Sequence, residues 1–425
     1  MRRTLLAIPH EIAGLSVFGI GWLLILVGLV FGIRVIWGRS RGQSVGEILR
    51  SEGFVWGLLA VAVIWLLPMV ELKNLAGEPI GMAIRGYGVM LLSGVAASVG
   101  LAYYRARRAG QDPELILAMA PWVFVGGIFG ARMFYVIQYR DNFITDNFAE
   151  TIGNMFRFTE GGLVVYGSFI GGFAAATYFL LRHRIPWLKM GDIVVPCIFI
   201  GVFFGRLGCL MNGCCYGGRC EDNWSALYFP PQSPVYQDQI RSGDLLGFRY
   251  DAETRRIEQV REGSLADQAG ITVGSRLDLL TEDQSPLPEA SQQLASEDVR
   301  RGVIGTIDGK RYRWTLDQLP DRALPVVPAQ VISSLSSLVL CFALCAIPLD
   351  WFRTGTIMML GVAGYALLRF GLEIVRVDES GQFGTALSIS QWVSVFVLAS
   401  ALFGFFWIYR SPATAGSSSP LQVDP

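Results

Sequence analysis

Four arginines stand inside or at the ends of long apolar runs: Arg132, Arg206, Arg369 and Arg376. Ionisable side chains in such runs are costly and mark functional sites by default. Glu373 lies one helical turn after Arg369, at i+4, and Arg376 extends the same face. A planar guanidinium grips phosphate through two parallel hydrogen bonds, so the set suits an anionic lipid headgroup. The plainer reading of Arg369 and Glu373 is that they neutralise each other while tying helices together. The sharpest local signal is Gly205-Arg-Leu-Gly-Cys-Leu-Met-Asn-Gly-Cys-Cys-Tyr-Gly217. A glycine-rich helix end lets backbone amides approach a ligand closely, and Arg206 adds charge to it.

Composition narrows the chemistry further. Of the 425 residues, 52% are hydrophobic and 16% charged, with 35 basic and 35 acidic side chains. The charge content is far below that of soluble domains, and the zero balance argues against a nucleic-acid binder. With only two histidines, His10 and His183, a His-rich zinc site or a two-His iron site cannot be assembled. Ser168 as a protease nucleophile is disfavoured for the same reason. Four of the 7 cysteines, at 209, 214, 215 and 220, follow a C-x4-C-C-x4-C spacing. This is no recognised zinc pattern; helix-end packing, a disulfide, or a metal or catalytic role remain open. No cofactor is implied.

These residues must be positioned by membrane helices, which need about 20 mostly apolar residues each. Nine stretches qualify: 12–37, 54–72, 86–105, 115–138, 161–182, 190–211, 329–349, 355–376 and 389–409. The expected fold is an all-α polytopic membrane protein of about nine spans. The first run is too long for a removed signal peptide and reads as a retained helix. Basic residues gather after the odd-numbered helices: Arg34, Arg39, Arg41 and Arg50; Arg105, Arg107 and Arg108; Arg182, Arg184 and Lys189; Arg353; Arg410. Those ends belong in the cytoplasm, which puts the N-terminus outside it. Arg2 and Arg3 run against this scheme. A polar block at 218–325 follows helix 6 and falls outside the cytoplasm too. From Ser411 a Ser/Pro/Gly-rich tail, 411–425, is expected to be disordered.

Within the block, Ile257–Leu280 resembles the PDZ family's run of strand, short helix and strand. Gly263-Ser264 supplies the turn, Leu265–Ala269 the helix, and Gly270 and Gly274 its exit. Leu246-Gly247-Phe248 resembles that family's carboxylate-binding loop, and Tyr312–Leu316 alternates like a closing strand. The resemblance covers about 244–317. It implies an α/β PDZ-like domain that captures a peptide C-terminus on loop amides; a bare spacer is the alternative. Ser275 departs from the usual Asp.

The Gly205–Gly217 run resembles the signature of prolipoprotein diacylglyceryl transferases. Other segments follow in the same order: Tyr87-Gly88, Gly130–Tyr135 around Arg132, Glu160–Gly167, Val327–Gln330, and Tyr365–Arg369 with Glu373 and Arg376. The membrane core would then comprise 83–217 and 326–410, with 1–82 added as two further helices. The resemblance implies transfer of diacylglyceryl from phosphatidylglycerol to the lipobox cysteine of a prolipoprotein, at the bacterial inner membrane. A thioether forms and glycerol phosphate leaves. The substrate brings its own thiol nucleophile, of ordinary pKa about 8.5. The leaving phosphate ester wants preorganised cations, which assigns Arg206 and Arg369 to the clamp. Substrate binding would fall to Tyr87, Arg132, Asn212, Gly213, Gly217, Glu373 and Arg376.

Two departures bear on the chemistry. The family's histidine is Tyr166 here, and the His of its His-Pro-Ser-Gln stretch is Val327; Cys209 and Cys214 replace its Asn and Glu. An ordinary tyrosine, of pKa about 10, is a poorer base than imidazole at pH 7. Either a neighbouring arginine acidifies Tyr166, or Tyr365 or the lipid phosphate takes the thiol proton. The rival reading is a catalytically silent adaptor that binds lipid and peptide.

Overall fold

The computed structural model describes residues 4–74, 76–143, 148–155, 162, 164–283, 302–375, 385 and 387–410. In chain order the elements begin with strands β1 (Thr4–Pro9), β2 (Glu11–Ile12) and β3 (Leu15–Ser16). Helices α1 (Trp22–Ser40), α2 (Val45–Val61) and α3 (Leu67–Val70) follow, then β4 (Leu72–Lys73) and β5 (Pro79–Arg85). Next come α4 (Gly86–Arg108), α5 (Glu114–Gln138), α6 (Phe148–Met155), α7 (Val165–Arg182) and α8 (Trp187–Asn212). The polar block holds α9 (Pro234–Arg241), β6 (Phe248–Tyr250), β7 (Ile257–Val260), α10 (Leu265–Gln268), β8 (Leu277–Glu282), β9 (Val303–Ile307) and β10 (Lys310–Trp314). Three helices close the chain: α11 (Ala329–Ala346), α12 (Thr356–Val375) and α13 (Ile389–Arg410).

Seven helices among the described residues are long and apolar enough to cross a membrane: α1, α4, α5, α8, α11, α12 and α13. The other two expected spans are helical but shorter or less apolar. The run at 54–72 is the second half of a helix that begins at Val45 and passes through a π turn at Ala62–Leu66, and its apolar part, Val55–Val70, is too short. The run at 161–182 yields only the 18-residue α7, diluted by glycine, serine, threonine and tyrosine. The first run is also shorter than its apolar stretch, because residues 11–16 pair as the β2–β3 hairpin.

The expectation of an all-α body outside the polar block also needs correction. β5 pairs antiparallel with both β1 and β4, in the order β1-β5-β4. The β1–β5 half joins residues more than seventy positions apart, so local apolar periodicity carries no trace of it. His10 lies beside this sheet and pairs with the buried Glu71 at 2.8 Å.

The chain divides into two compact units. One comprises 1–89 and 208–328. Its polar block is stitched together at its ends: the Gly217 amide donates to Val327, Val327 donates to Gly218, and Cys220 donates to Pro325. Entry and exit therefore leave from one place, as befits an insertion. Its core gathers Phe229, Val235, Leu246, Phe248, Ile257, Val303 and Val326, all nearly inaccessible. β8, β9 and β10 form an antiparallel meander, and β6 pairs with β7. Ser264 caps α10 by accepting the Asp267 amide.

The second unit comprises 90–207 and 329–425. Its tightest seam joins α5 to α7. Gly126 and Gly130 on one helix face Gly171 and Gly167 on the other, so closely that a β-carbon on any of them would strike the opposing backbone or a side chain. Spacing small residues four apart lets membrane helices meet backbone to backbone. α8 and α12 run parallel: Gly191 lies against Met358, Val195 against Gly361, and Phe199 against Tyr365. Asp192 on α8 accepts the amides of Gly355 and Met358 and so fixes the start of α12.

Candidate active site

Arg369 and Glu373 form the ion pair expected from their spacing, with Nη1 to Oε2 at 2.6 Å. The carboxylate is buried and the guanidinium largely so. The first turn of α13 completes the cluster. Ser390 accepts from Arg369 Nη2 at 2.9 Å, and Ser388 donates to Glu373 Oε1 at 3.1 Å. Ser388 and Gln391 also cap that helix reciprocally, each side chain bonding the other's amide. Sequence reasoning missed these serines, although Ser388-x-x-Gln391 ahead of an apolar run is a capping-box signature. Tyr365, one turn before Arg369, stacks near Phe199 with ring centres 6.2 Å apart.

Arg206 lies seven residues beyond Phe199 on α8, and Glu373 lies eight residues beyond Tyr365 on α12. Arg206 is half-buried, and among the described residues no carboxylate pairs with it. A partly buried guanidinium without a carboxylate partner among the described residues favours an anion from outside the chain.

Arg132 does something different. It is 3% exposed and donates to the carbonyls of Met155 (2.8 Å), Asn154 (2.9 Å) and Gly162 (3.3 Å). Its guanidinium is committed to holding the segment ahead of α7. The antiparallel Gly126–Gly171 and Gly130–Gly167 register puts Arg132 level with Val165. The Val164 amide donates to Ala131 at 3.2 Å. Tyr166 stands in the first turn of α7, beside that anchor, with its side chain half exposed.

Tyr87, Asn212, Gly213 and Gly217 lie in the other unit, where Gly86 packs against Met211 at the end of α8. Gly213 has φ of +77°, which only glycine adopts cheaply, and its amide donates to Cys209 at 2.9 Å. An added β-carbon there would meet Ser233 at 3.0 Å and Phe229 at 3.1 Å. Arg376, Glu160 and Gly161 lie outside the described residues, as does the tail from Ser411. His183 accounts for the other histidine: it stacks on Phe179, and its Nδ1 bonds that residue's carbonyl at 2.9 Å.

The polar block carries a cleft of about 850 Å³ beside Gly247, lined by charged residues including Arg219, Asp244, Arg249 and Glu258. Asp244 is bridged by both Arg219 and Arg249. None of the intramembrane arginines lines it. The amides of Leu246, Gly247 and Phe248 all donate to the Gly243 carbonyl. The loop expected to capture a peptide carboxylate has therefore spent those donors internally.

Comparison with known proteins bears on this geometry. The family model described as prolipoprotein diacylglyceryl transferase matches residues 78–407. The chain is 40% identical, over 99% of its length and 92% of the relative's, to the phosphatidylglycerol–prolipoprotein diacylglyceryl transferase of Rhodopirellula baltica. It is 35% identical to the same-named protein of Clostridium tetani, over 34% of this chain and 56% of that one. A similar partial match, 33% identical over 36% of this chain and 56% of the relative, links it to the protein of that name from Idiomarina loihiensis. By the breadth of the family match and the full-length relative, this multi-pass membrane chain belongs to the prolipoprotein diacylglyceryl transferase family.

Proposed function

We propose that this chain transfers the diacylglyceryl group of phosphatidylglycerol to the lipobox cysteine of prolipoproteins. The observation that carries the site assignment is Arg206, a half-buried cation without a carboxylate partner among the described residues, on the helix that meets α12 at Phe199 and Tyr365. Arg206 takes the lipid phosphate. Arg369 is already neutralised by Glu373 and held by Ser390, so it orients the phosphate by hydrogen bonding and adds little net charge.

In the reaction the thiol sulfur bonds to the glycerol carbon that bears the phosphate. That carbon–oxygen bond breaks, and glycerol phosphate leaves with the electron pair. Tyr166 relays the proton, taking it from the thiol while passing its own to the leaving phosphate ester. Such positioned proton transfer is worth about 100- to 10,000-fold. Arg132 keeps Tyr166 in place through the carbonyls of the preceding segment. Tyr87, Asn212, Gly213 and Gly217 bind substrate in this reading, as do Glu373 and Arg376 beside Arg369.

The basic last turns of α1, α4, α7 and α13 support cytoplasmic ends for those helices, an arrangement in which the 54–72 run and α7 also cross, giving nine spans. The N-terminus and the polar block then face outward across the bacterial inner membrane, on the side where lipoprotein precursors emerge. The β6–β10 region is read as a PDZ-like module that presents the protein substrate. Capture of a free C-terminus at Leu246–Phe248 would require three amides to leave the Gly243 carbonyl, so titration with C-terminal peptides is expected to show no saturable binding.

The test incubates the purified protein with phosphatidylglycerol and a lipobox peptide. A thioether-lipidated peptide and free glycerol phosphate are expected by mass. Lipid binding without product would instead fit a silent adaptor.

A further inference from the structure

The chain after α8 turns back on itself. Cys209 accepts the amides of Gly213 (2.9 Å) and Cys214 (3.1 Å), and the left-handed conformations of Gly213 (φ +77°) and Cys215 (φ +58°) fold the following residues toward Cys209. A non-glycine residue in that conformation is strained, and strain that persists is a pointer to function. The result is that the sulfur atoms of Cys209, Cys214 and Cys215 all lie within 4.8 Å of one another. All seven cysteines are thiols, and these three are half-buried. Cys220, the fourth of the spacing, is not in the group; its amide bonds Pro325 and its side chain lines the charged cleft. Two of the three, Cys209 and Cys214, are the positions at which this run departs from the family's Asn and Glu.

Three thiols cannot all be consumed by disulfides. They can all be consumed by one metal ion: at metal–sulfur bonds of about 2.3 Å, sulfurs in a shared shell lie roughly 4 Å apart. Structural zinc takes four protein ligands. Among the described residues no histidine or carboxylate joins the group. Soft thiolates select Cu(I), a closed-shell ion that three sulfurs in a plane satisfy. We propose that Cys209, Cys214 and Cys215 form a three-thiolate site for Cu(I) that pins the turn carrying Asn212 and Gly213. Each thiol loses its proton as its sulfur bonds the metal, and no change of oxidation state is involved.

The test titrates the full-length protein, reduced and desalted in detergent without oxygen, with Cu(I) held by a chromophoric competitor. One equivalent per chain should leave the competitor, with a near-ultraviolet thiolate-to-copper band. Cys215→Ser should weaken uptake by about 100-fold or more, since even outer-shell changes cost about 10- to 100-fold. Cys220→Ser should behave as the unaltered protein. If Cys215→Ser does not fold, maleimide labelling of the unaltered chain serves: Cu(I) should shield Cys209, Cys214 and Cys215 but leave Cys220 reactive. The proposal is overturned by absent uptake, by uptake that survives replacement of all three cysteines by serine, by equal shielding of Cys220, or by a disulfide within 209–215 in protein isolated without reductant.

Discussion

Gly171 and Gly172 are neighbours on α7 with opposite surroundings, and replacing each by alanine gives opposed expectations. A β-carbon at Gly171 would collide with the Gly126 carbonyl and lie 2.9 Å from the Gly130 α-carbon. At Gly172 the nearest atom, on Val123, is 3.6 Å away, which is ordinary contact. Both changes gain helix propensity, up to about 1 kcal/mol. Only Gly171→Ala must also push the α5 and α7 backbones away from each other, and overpacking of that kind costs about 1–3 kcal/mol. Gly172→Ala should therefore be neutral or stabilising, while Gly171→Ala loses up to roughly 2 kcal/mol. The seam also sets where Tyr166 stands, and a misplacement of about 1 Å can cost 100-fold in rate. The assay pairs thermal unfolding in detergent with the rate of peptide lipidation. Gly171→Ala should melt several degrees lower and turn over far more slowly than Gly172→Ala. Equal stability and equal rates for the two variants would refute both the close seam and its role in placing Tyr166.

Tyr166→Phe should lower turnover by about 100-fold or more with lipid binding intact; unchanged rates would remove Tyr166 from proton transfer. Glu373→Gln leaves Arg369 buried without its counter-charge, a loss of about 3–5 kcal/mol by analogy with other buried pairs. Adding Arg369→Gln should recover much of that stability but not activity, as a double-mutant cycle in unfolding and lipidation assays would show. Ser388→Ala removes both the α13 cap and a hydrogen bond to Glu373, so about 1 kcal/mol or more should be lost, read as a lower melting point. In the polar block, the Arg276 amide bonds Asp308 at 2.8 Å and, with the Ser275 hydroxyl, holds its carboxyl below the usual range. A depressed folded value gives stability that is complete above about pH 4 and fades as pH falls through that value. Protection of the amides in residues 303–314, corrected for the intrinsic exchange rate, should fall on acidification, and less so in Asp308→Asn.

The chemistry-bearing residues were legible because a charge in an apolar run is conspicuous. The i+4 spacing of Arg369 and Glu373 already predicted their pairing. The meeting of α8 with α12 at Phe199 and Tyr365 was not legible, since it joins two helices far apart in sequence. Arg132 was legible as a substrate-binding or gating charge; its hydrogen bonds to the carbonyls of residues 154, 155 and 162 were not. At α7 the span signal is weak, because the glycines that permit close packing also lower the hydropathy. The β1–β5 pairing left no local signal, because strands far apart in sequence satisfy each other. The glycines around α10 were correctly read as turns: Gly263, Gly270 and Gly274 all have positive φ. Where the amides of Leu246–Phe248 point was not legible, since the sequence says nothing about their bonds to the Gly243 carbonyl.

Arg206, as the cation that receives the lipid phosphate, is the residue on which the proposed chemistry depends most directly. The decisive measurement is the lipidation rate of Arg206→Gln against the unaltered protein, with phosphatidylglycerol binding followed in parallel. We expect weakened lipid binding and a rate lower by about 100-fold or more, as for loss of a preorganised charge at a leaving oxyanion. Lipidation at the original rate by Arg206→Gln would contradict that role.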